Sequence, residues 1–351
     1  MATPRFSEIG IAFEKETPDV GAQVDFAAYA EDQGFDSVWV TETRLVRDAV
    51  SILGALTRST DEMRLGTAVL PMWTRNVALM AQTWSTLFEL GGPRMHCGLG
   101  AWWDPLAENV GIDRQDPNPL RAMWEYATVL RRLLDLESVT YDGAHIQIED
   151  VQLDLIRADA GKRDVPLYVG ATGPQMNEMG GELVGEGVLD GVILNANEPP
   201  EYVEDCVDRI EAGVRRRGGT LDDVRRPQTI YVSMDEDADA AIDAVRGVCA
   251  QYLAQQAHVP EVARQYTMDP DLVDEIRAEL DGWRASMADI ERITPMIPDD
   301  HVRRVVAAGT PETVVERIHE YVEAGTTEPV LSVLSGNQRE VVDVFSEYLP
   351  A

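Results

Sequence analysis

Short apolar, β-branched runs alternate with longer runs of helical period along the whole chain. Phe6 to Phe13 is the first predicted strand, and Val20 to Gln33 the first helix, stopped by Gly34. Ser37 to Thr41 and Ala49 to Thr60 form the next strand–helix pair. Arg64 to Leu70 and Val77 to Leu90 form the third, and Met95 to Leu99 is the fourth strand. A long connection with Trp102, Trp103 and a proline-rich DPNP stretch then leads to a helix from Leu120 to Leu134. Val165 to Val169 and Gln175 to Val184, then Val188 to Leu194 and Pro200 to Arg217, are the fifth and sixth pairs. Proline at the start of the last of these suits a first helical turn. Thr229 to Ser233 is the seventh strand, Val330 to Leu334 the eighth, and Gln338 to Tyr348 the final helix.

Asp237 to Val305 reads as helical throughout, too long for one crossover. Thr310-Pro311-Glu312 then opens a helix with an N-cap and a first-turn proline. Eight strands each followed by a helix predict a (β/α)8 TIM barrel of one domain over residues 1–351. Within it, residues 237–305 are a helical insertion between strands 7 and 8. A doubly wound open sheet would call for a glycine-rich turn after its first strand. The residues there, FEKETPD, contain no glycine.

Charge changes the picture. The 351 residues hold 62 acidic and 30 basic side chains, a formal net charge of -32, and Lys15 and Lys162 are the only lysines. Such a surface repels nucleic acid and anionic membranes. The acid is dispersed instead of gathered in a tail, which predicts adaptation to molar salt, where counterions screen self-repulsion. Three scattered cysteines, no leader and no membrane-length apolar run predict a reduced, cytoplasmic protein.

In a barrel, chemistry collects where strands end. VGATGPQM, Val169 to Met176, runs a buried strand through two glycines into a helix. Such a turn suits a phosphate cradle, and it equally suits an ordinary strand-to-helix turn. Gly98 and Gly100 end the fourth strand, a pairing more often for close packing than for ligand contact. Trp102-Trp103 suits either stacking on a planar ligand or a lid on the rim. The five histidines lie on separate elements, with no metal constellation; His96 and His319 are expected to be structural.

Taken together, these landmarks resemble the luciferase-like family of flavin and deazaflavin oxidoreductases, in particular its methylenetetrahydromethanopterin reductase branch. The likeness lies in FDSVWVTE (Phe35 to Glu42), Arg47-Asp48, LGTAVLPMWTR (Leu65 to Arg75) and GLG (Gly98 to Gly100). It continues through VPLYVGATGPQMNEMGGEL (Val165 to Leu183), DGVILNA (Asp190 to Ala196) and AGTPETVVERI (Ala308 to Ile318). The resemblance implies hydride transfer with coenzyme F420, or oxygen chemistry with FMN in its monooxygenases, or a barrel that binds cofactor without catalysis. It implies cofactor contacts from Thr43, Thr67, Ala68, Val69, Gly100, Gly170, Ala171, Thr172, Gly173, Pro174, Gln175, Met176 and Asn195. A bulge with a non-proline cis bond at Ala68–Val69 is implied as well. Trp102 or Trp103 stands where relatives often carry an acidic residue, and both fall on the substrate side. The reductase branch carries a first-strand glutamate where Ala12 stands here; Glu14 keeps the same side by strand alternation. Glu42-Thr43 stands where many relatives carry Asp-His, so Glu14 and Glu42 are the acid–base candidates. The expected partners are a small-molecule substrate and further copies of the chain, as a dimer or tetramer, with no nucleic acid and no membrane.

Overall fold

The computed structural model describes residues 5–13, 19–43, 45–101, 110–112, 118–153, 161–256, 270–280, 285–335 and 337–350. The chain forms two compact units, residues 10–194 with 207–227, and residues 1–9 with 195–206 and 228–351.

The first unit carries six parallel principal strands. They are β1 (Gly10–Phe13), β2 (Ser37–Val40), β3 (Arg64–Thr67), β5 (Met95–Gly100), β8 (Leu167–Ala171) and β9 (Gly191–Leu194), neighbours in that order. All but the first residue of β3 and Gly170 of β8 are buried, as strands covered on both faces must be. The helices between them are α1 (Val20–Asp32), α2 (Ala49–Ser59), α3 (Val77–Gly91), α4 (Pro119–Leu134) and α5 (Pro174–Gly185). Asp19, Asp48, Asn76 and Asn118 cap the first four, accepting from Ala22, Ser51, Leu79 and Arg121 amides. The N-cap of α5 is Gly173, with no side-chain bond.

In the second unit β10 (Pro227–Met234) lies between β11 (Ala307–Gly309) and β12 (Glu328–Ser335). Around them are α6 (Pro200–Arg216, which runs on into the first unit), α7 (Ala238–Gln256), α8 (Pro270–Ala278), α9 (Met287–Ile293), α10 (Asp299–Val305), α11 (Pro311–Glu323) and α12 (Gln338–Ser346). Helices α7 to α10 share an apolar core built on Val245, Cys249, Leu253, Ile276, Ile293 and Val302. The eight principal strands, each followed by helix, are those of a (β/α)8 barrel. Among the described residues no helix is long and apolar enough to cross a membrane.

The elements differ from expectation in four places. The first strand starts at Gly10, because the Phe6 amide bonds the Tyr348 carbonyl and its ring stacks on His319. The run Arg64 to Leu70 is broken into β3 and β4 (Leu70–Pro71) by the bulge between them. Strand β11 is an extra short strand at the end of the helical segment. An antiparallel hairpin, β6 (Val139–Asp142) and β7 (Gln147–Val151), follows α4. Its tip is held by Glu125, which accepts from the Ala144, His145 and Ile146 amides at 2.8–3.1 Å.

Candidate active site at the strand ends

The bulge after β3 organises the strand ends of the first unit. The Ala68–Val69 bond is cis, as the resemblance implied. Thr67 restores the lost ladder with its side chain: the hydroxyl donates to the Gly98 carbonyl at 2.8 Å and accepts from the Gly98 amide at 3.0 Å. The Thr41 hydroxyl donates to the Ala68 carbonyl at 3.0 Å. Trp73, just beyond, donates its indole N–H to the Ala101 carbonyl at 2.6 Å and meets His145 of the hairpin edge-on.

Glycines make room for this. A Cβ on Gly98 would run into the Thr67 carbonyl, and one on Gly100 into the Val69 side chain. A Cβ on Gly170 would stand 2.8 Å from Val69 Cγ1. Val69 is thus seated over β5 and β8 with one face left open, being only half-buried. Gly98 is a packing residue, as expected for that pair, and Gly100 and Gly170 likewise make space for a side chain.

Gly173 is different. Among the described residues, nothing lies within 4 Å of where its Cβ would be. Helix α5 starts there with Pro174, has no acid in its first turn and has no side-chain cap. The Met176 amide donates to the Gly173 carbonyl at 3.1 Å, in the tightened geometry common at helix ends. Ala171 ends β8 buried, and Thr172 and Gln175 are exposed.

Glu42 is fully engaged. Arg75 donates to both its oxygens, at 2.8 and 3.2 Å, and the Ala49 amide donates to it at 3.1 Å. Arg75 also pairs with Asp48 at 2.8 Å, and its own carbonyl accepts from the Tyr126 hydroxyl. Burial alone would lower the Arg75 pKa, but the two carboxylates more than offset it and hold it above the ordinary value. Thr43, next along, is half-buried, and its carbonyl accepts from the Val46 amide. Glu14, Trp102 and Trp103 lie outside the described residues.

At the end of β9, the Asn195 side chain donates to Glu198 at 3.1 Å and its carbonyl accepts from Gln228 at 2.9 Å. His96 is structural: its Nδ1 lies 3.0 Å from the Tyr168 hydroxyl, with Trp39 edge-on to both rings. Sequence reasoning did not pick out the hairpin, and it gave no role to Arg75 or Asn197. The hairpin did carry a signal, an Asp-Gly turn between alternating apolar residues.

A parallel barrel with glycine-lined strand ends defines the class. A family model described as luciferase-like monooxygenase matches residues 6–328, and the chain belongs to that family. A 5,10-methylenetetrahydromethanopterin reductase of Methanolobus tindarius is 32% identical over 94% of this chain and 95% of its own. An F420-dependent glucose-6-phosphate dehydrogenase of Microbacterium testaceum is 28% identical over 80% of this chain and 82% of its own. The solved coenzyme F420-dependent tetrahydromethanopterin reductase of Methanopyrus kandleri has the same fold, with a TM-score of 0.83, 24% identity and 98% of each chain covered.

Proposed function

We propose that this chain is a coenzyme F420-dependent oxidoreductase that moves a hydride between reduced deazaflavin and an organic substrate, of the pterin-linked one-carbon class. The observation that carries the reading is the end-to-end likeness to a methylenetetrahydromethanopterin reductase, in a family that also holds an F420-dependent dehydrogenase.

The residues present fit the cofactor. Gly173 has an open approach among the described residues, and the α5 end it caps carries partial positive charge with no acid in its first turn, which suits a phosphate. In this reading the turn from Gly170 to Met176 holds the phosphate, with Gly173 and the α5 amides approaching it and Gly170 seating Val69, which is half-buried on the Thr67–Ala68–Val69 bulge and backs the ring. Thr43, Gly100 and Asn195 are the further cofactor contacts that the resemblance implies. When bound, the cofactor supplies the redox chemistry. Glu42 acts as a positioning residue, since Arg75 and Ala49 already take its oxygens. Glu14 is the group we assign to proton handling, and Trp102 and Trp103 to the substrate side. Residues 237–305 form an insertion within one domain over 1–351.

The test is a spectral titration with F420 and FMN in parallel. F420 should bind, and Gly173→Asp, which sets a carboxylate against the phosphate, should weaken it by about tenfold or more. Turnover should fall in Glu14→Gln. Tighter FMN binding, with oxygen as oxidant, would establish the monooxygenase reading instead. Equal affinity in Gly173→Asp would remove the phosphate assignment.

We propose a cytoplasmic protein, in line with its scattered cysteines, and one adapted to salt, from its net charge of -32. We also propose self-association through α2 and α3, which carry one arginine, Arg58, and one glutamate, Glu89, between them and expose Leu79 and Leu90. Melting and sedimentation across a salt series check both. Tm should fall as salt drops from molar to 0.1 M and the screening length grows from about 3 to about 10 Å. A flat melting curve, or a monomer at every salt, would defeat the respective statement.

A further inference from the structure

The loop after β9 runs Asn195, Ala196, Asn197, Glu198 and is pinned on both sides. On one side, Asn195 is tied to Glu198 and to Gln228, which itself accepts from the Thr326 hydroxyl at 2.7 Å. On the other, the Tyr321 hydroxyl donates to the Glu198 carbonyl at 2.9 Å. Ala196 packs against the apolar core of α7 to α10. Between the pins, Asn197 is 2% exposed and sits at φ 59°, in the left-handed region. Among the described residues, neither its side-chain oxygen nor its side-chain nitrogen has a hydrogen-bond partner.

A buried carboxamide with both ends unpaired is rare, because water satisfied both in the unfolded chain. Here Gln228 and Tyr321 hold the backbone on either side and Asn195 ties itself to Glu198, and among the described residues none turns to the amide itself. A left-handed residue kept rigid from both sides adds to the cost, and such residues gather where ligands are clamped. The position is the C-terminal end of a principal strand, the end at which barrels carry their chemistry.

We infer that Asn197 is a ligand-reading residue, whose carboxamide pairs with a donor and an acceptor lying side by side on a planar ring. That pattern is the lactam or imide edge of a fused pyrimidine. Resting on the proposed function, it has two sources: the deazaflavin and a pterin-type substrate. The amide N–H donates to the ring carbonyl and the amide oxygen accepts from the ring N–H. A ligand without such an edge leaves both unpaired, so the residue discriminates as well as binds.

Two variants test it. Asn197→Gly accepts the left-handed backbone and removes the amide. Asn197→Asp also tolerates that backbone, keeps the shape and loses the donor. The readouts are F420 binding by fluorescence, FMN binding in parallel, KM for methylenetetrahydromethanopterin, and the Tm of ligand-free protein. In both variants the affinity for one ring-bearing partner should fall by about tenfold or more, while ligand-free Asn197→Gly melts no lower than wild type. Loss in the F420 titration assigns the edge to the cofactor; loss confined to KM assigns it to the substrate. Unchanged binding and KM in both variants overturn the inference and leave the proposed function standing. So does a lowered Tm with unchanged affinity, which makes Asn197 structural. Wild type that binds neither F420 nor FMN overturns the proposed function, and this inference with it.

Discussion

Gly170 and Gly173 stand three residues apart at the end of one strand and do opposite things. Gly170, like Gly98 and Gly100 on β5, has its side-chain space taken: the bulge after β3 fills it with Val69 or a carbonyl. Gly173 faces open space at the bare end of α5. The first kind of glycine lets the protein touch itself; the second lets something else approach. Residue type is the same for both, so it is the packing that separates them.

The largest expected effect is on the filled side. In Gly98→Ala the new methyl would meet the Thr67 carbonyl and stand 2.6 Å from Ile193 Cδ1. Backbone on one side cannot yield as a flexible side chain can. Overpacking of this kind costs about 1–3 kcal/mol or more, and here it also displaces the bonds between Thr67 and Gly98. Urea unfolding should show a loss at the upper end of that range. Wild-type stability in Gly98→Ala would mean that the bulge moves freely, and the distinction between the two kinds of glycine would fail.

A middle-sized effect is expected where the hairpin meets the same region. Burial by itself would raise the Glu125 pKa, but three amides and Arg121 outweigh it and hold it below the ordinary glutamate value. A carboxyl lowered in this way contributes stability above its unfolded value of about 4.3, lost as pH falls through the folded value. Glu125→Gln leaves amides poorly served and should cost about 1–3 kcal/mol at pH 7. The difference from wild type should narrow below about pH 4. Denaturant curves at pH 7 and in that acid range check it; a gap independent of pH would show that the charge is not what anchors the tip.

The barrel was legible because each helix start carries local chemistry. Pro119, Pro174, Pro200 and Pro311 all stand at first helical positions in the structure. Asp19, Asp48 and Asn76 sit one residue ahead of their helices and cap them. The hairpin was equally local, yet a search for strand–helix pairs passes over two strands that join no barrel. The site was less legible, because its decisive contacts come from far along the chain. Glu42 reads as a free acid until Arg75, 33 residues on, takes both its oxygens. Asn197 reads as a loop residue; its rigidity comes from Gln228 bonded to Asn195, 33 residues away, and from Tyr321 bonded to Glu198, 123 away. The matching stretch DGVILNA ends at Ala196, and its Asn195 proves to be tied to its own loop, while the unpaired amide is the next residue beyond the stretch.

The smallest expected effect is the most useful for the comparison. Gly173→Ala adds the same methyl as Gly98→Ala, at a φ of -89° that alanine adopts without strain, and with no atom near. The remaining penalty is alanine's poorer standing as an N-cap, below about 1 kcal/mol when glycine is the reference. Thermal unfolding should therefore place Gly173→Ala close to wild type and Gly98→Ala well below it. A loss for Gly173→Ala as large as that for Gly98→Ala would show that the α5 end is packed, and that the turn is a structural joint with no room for a phosphate.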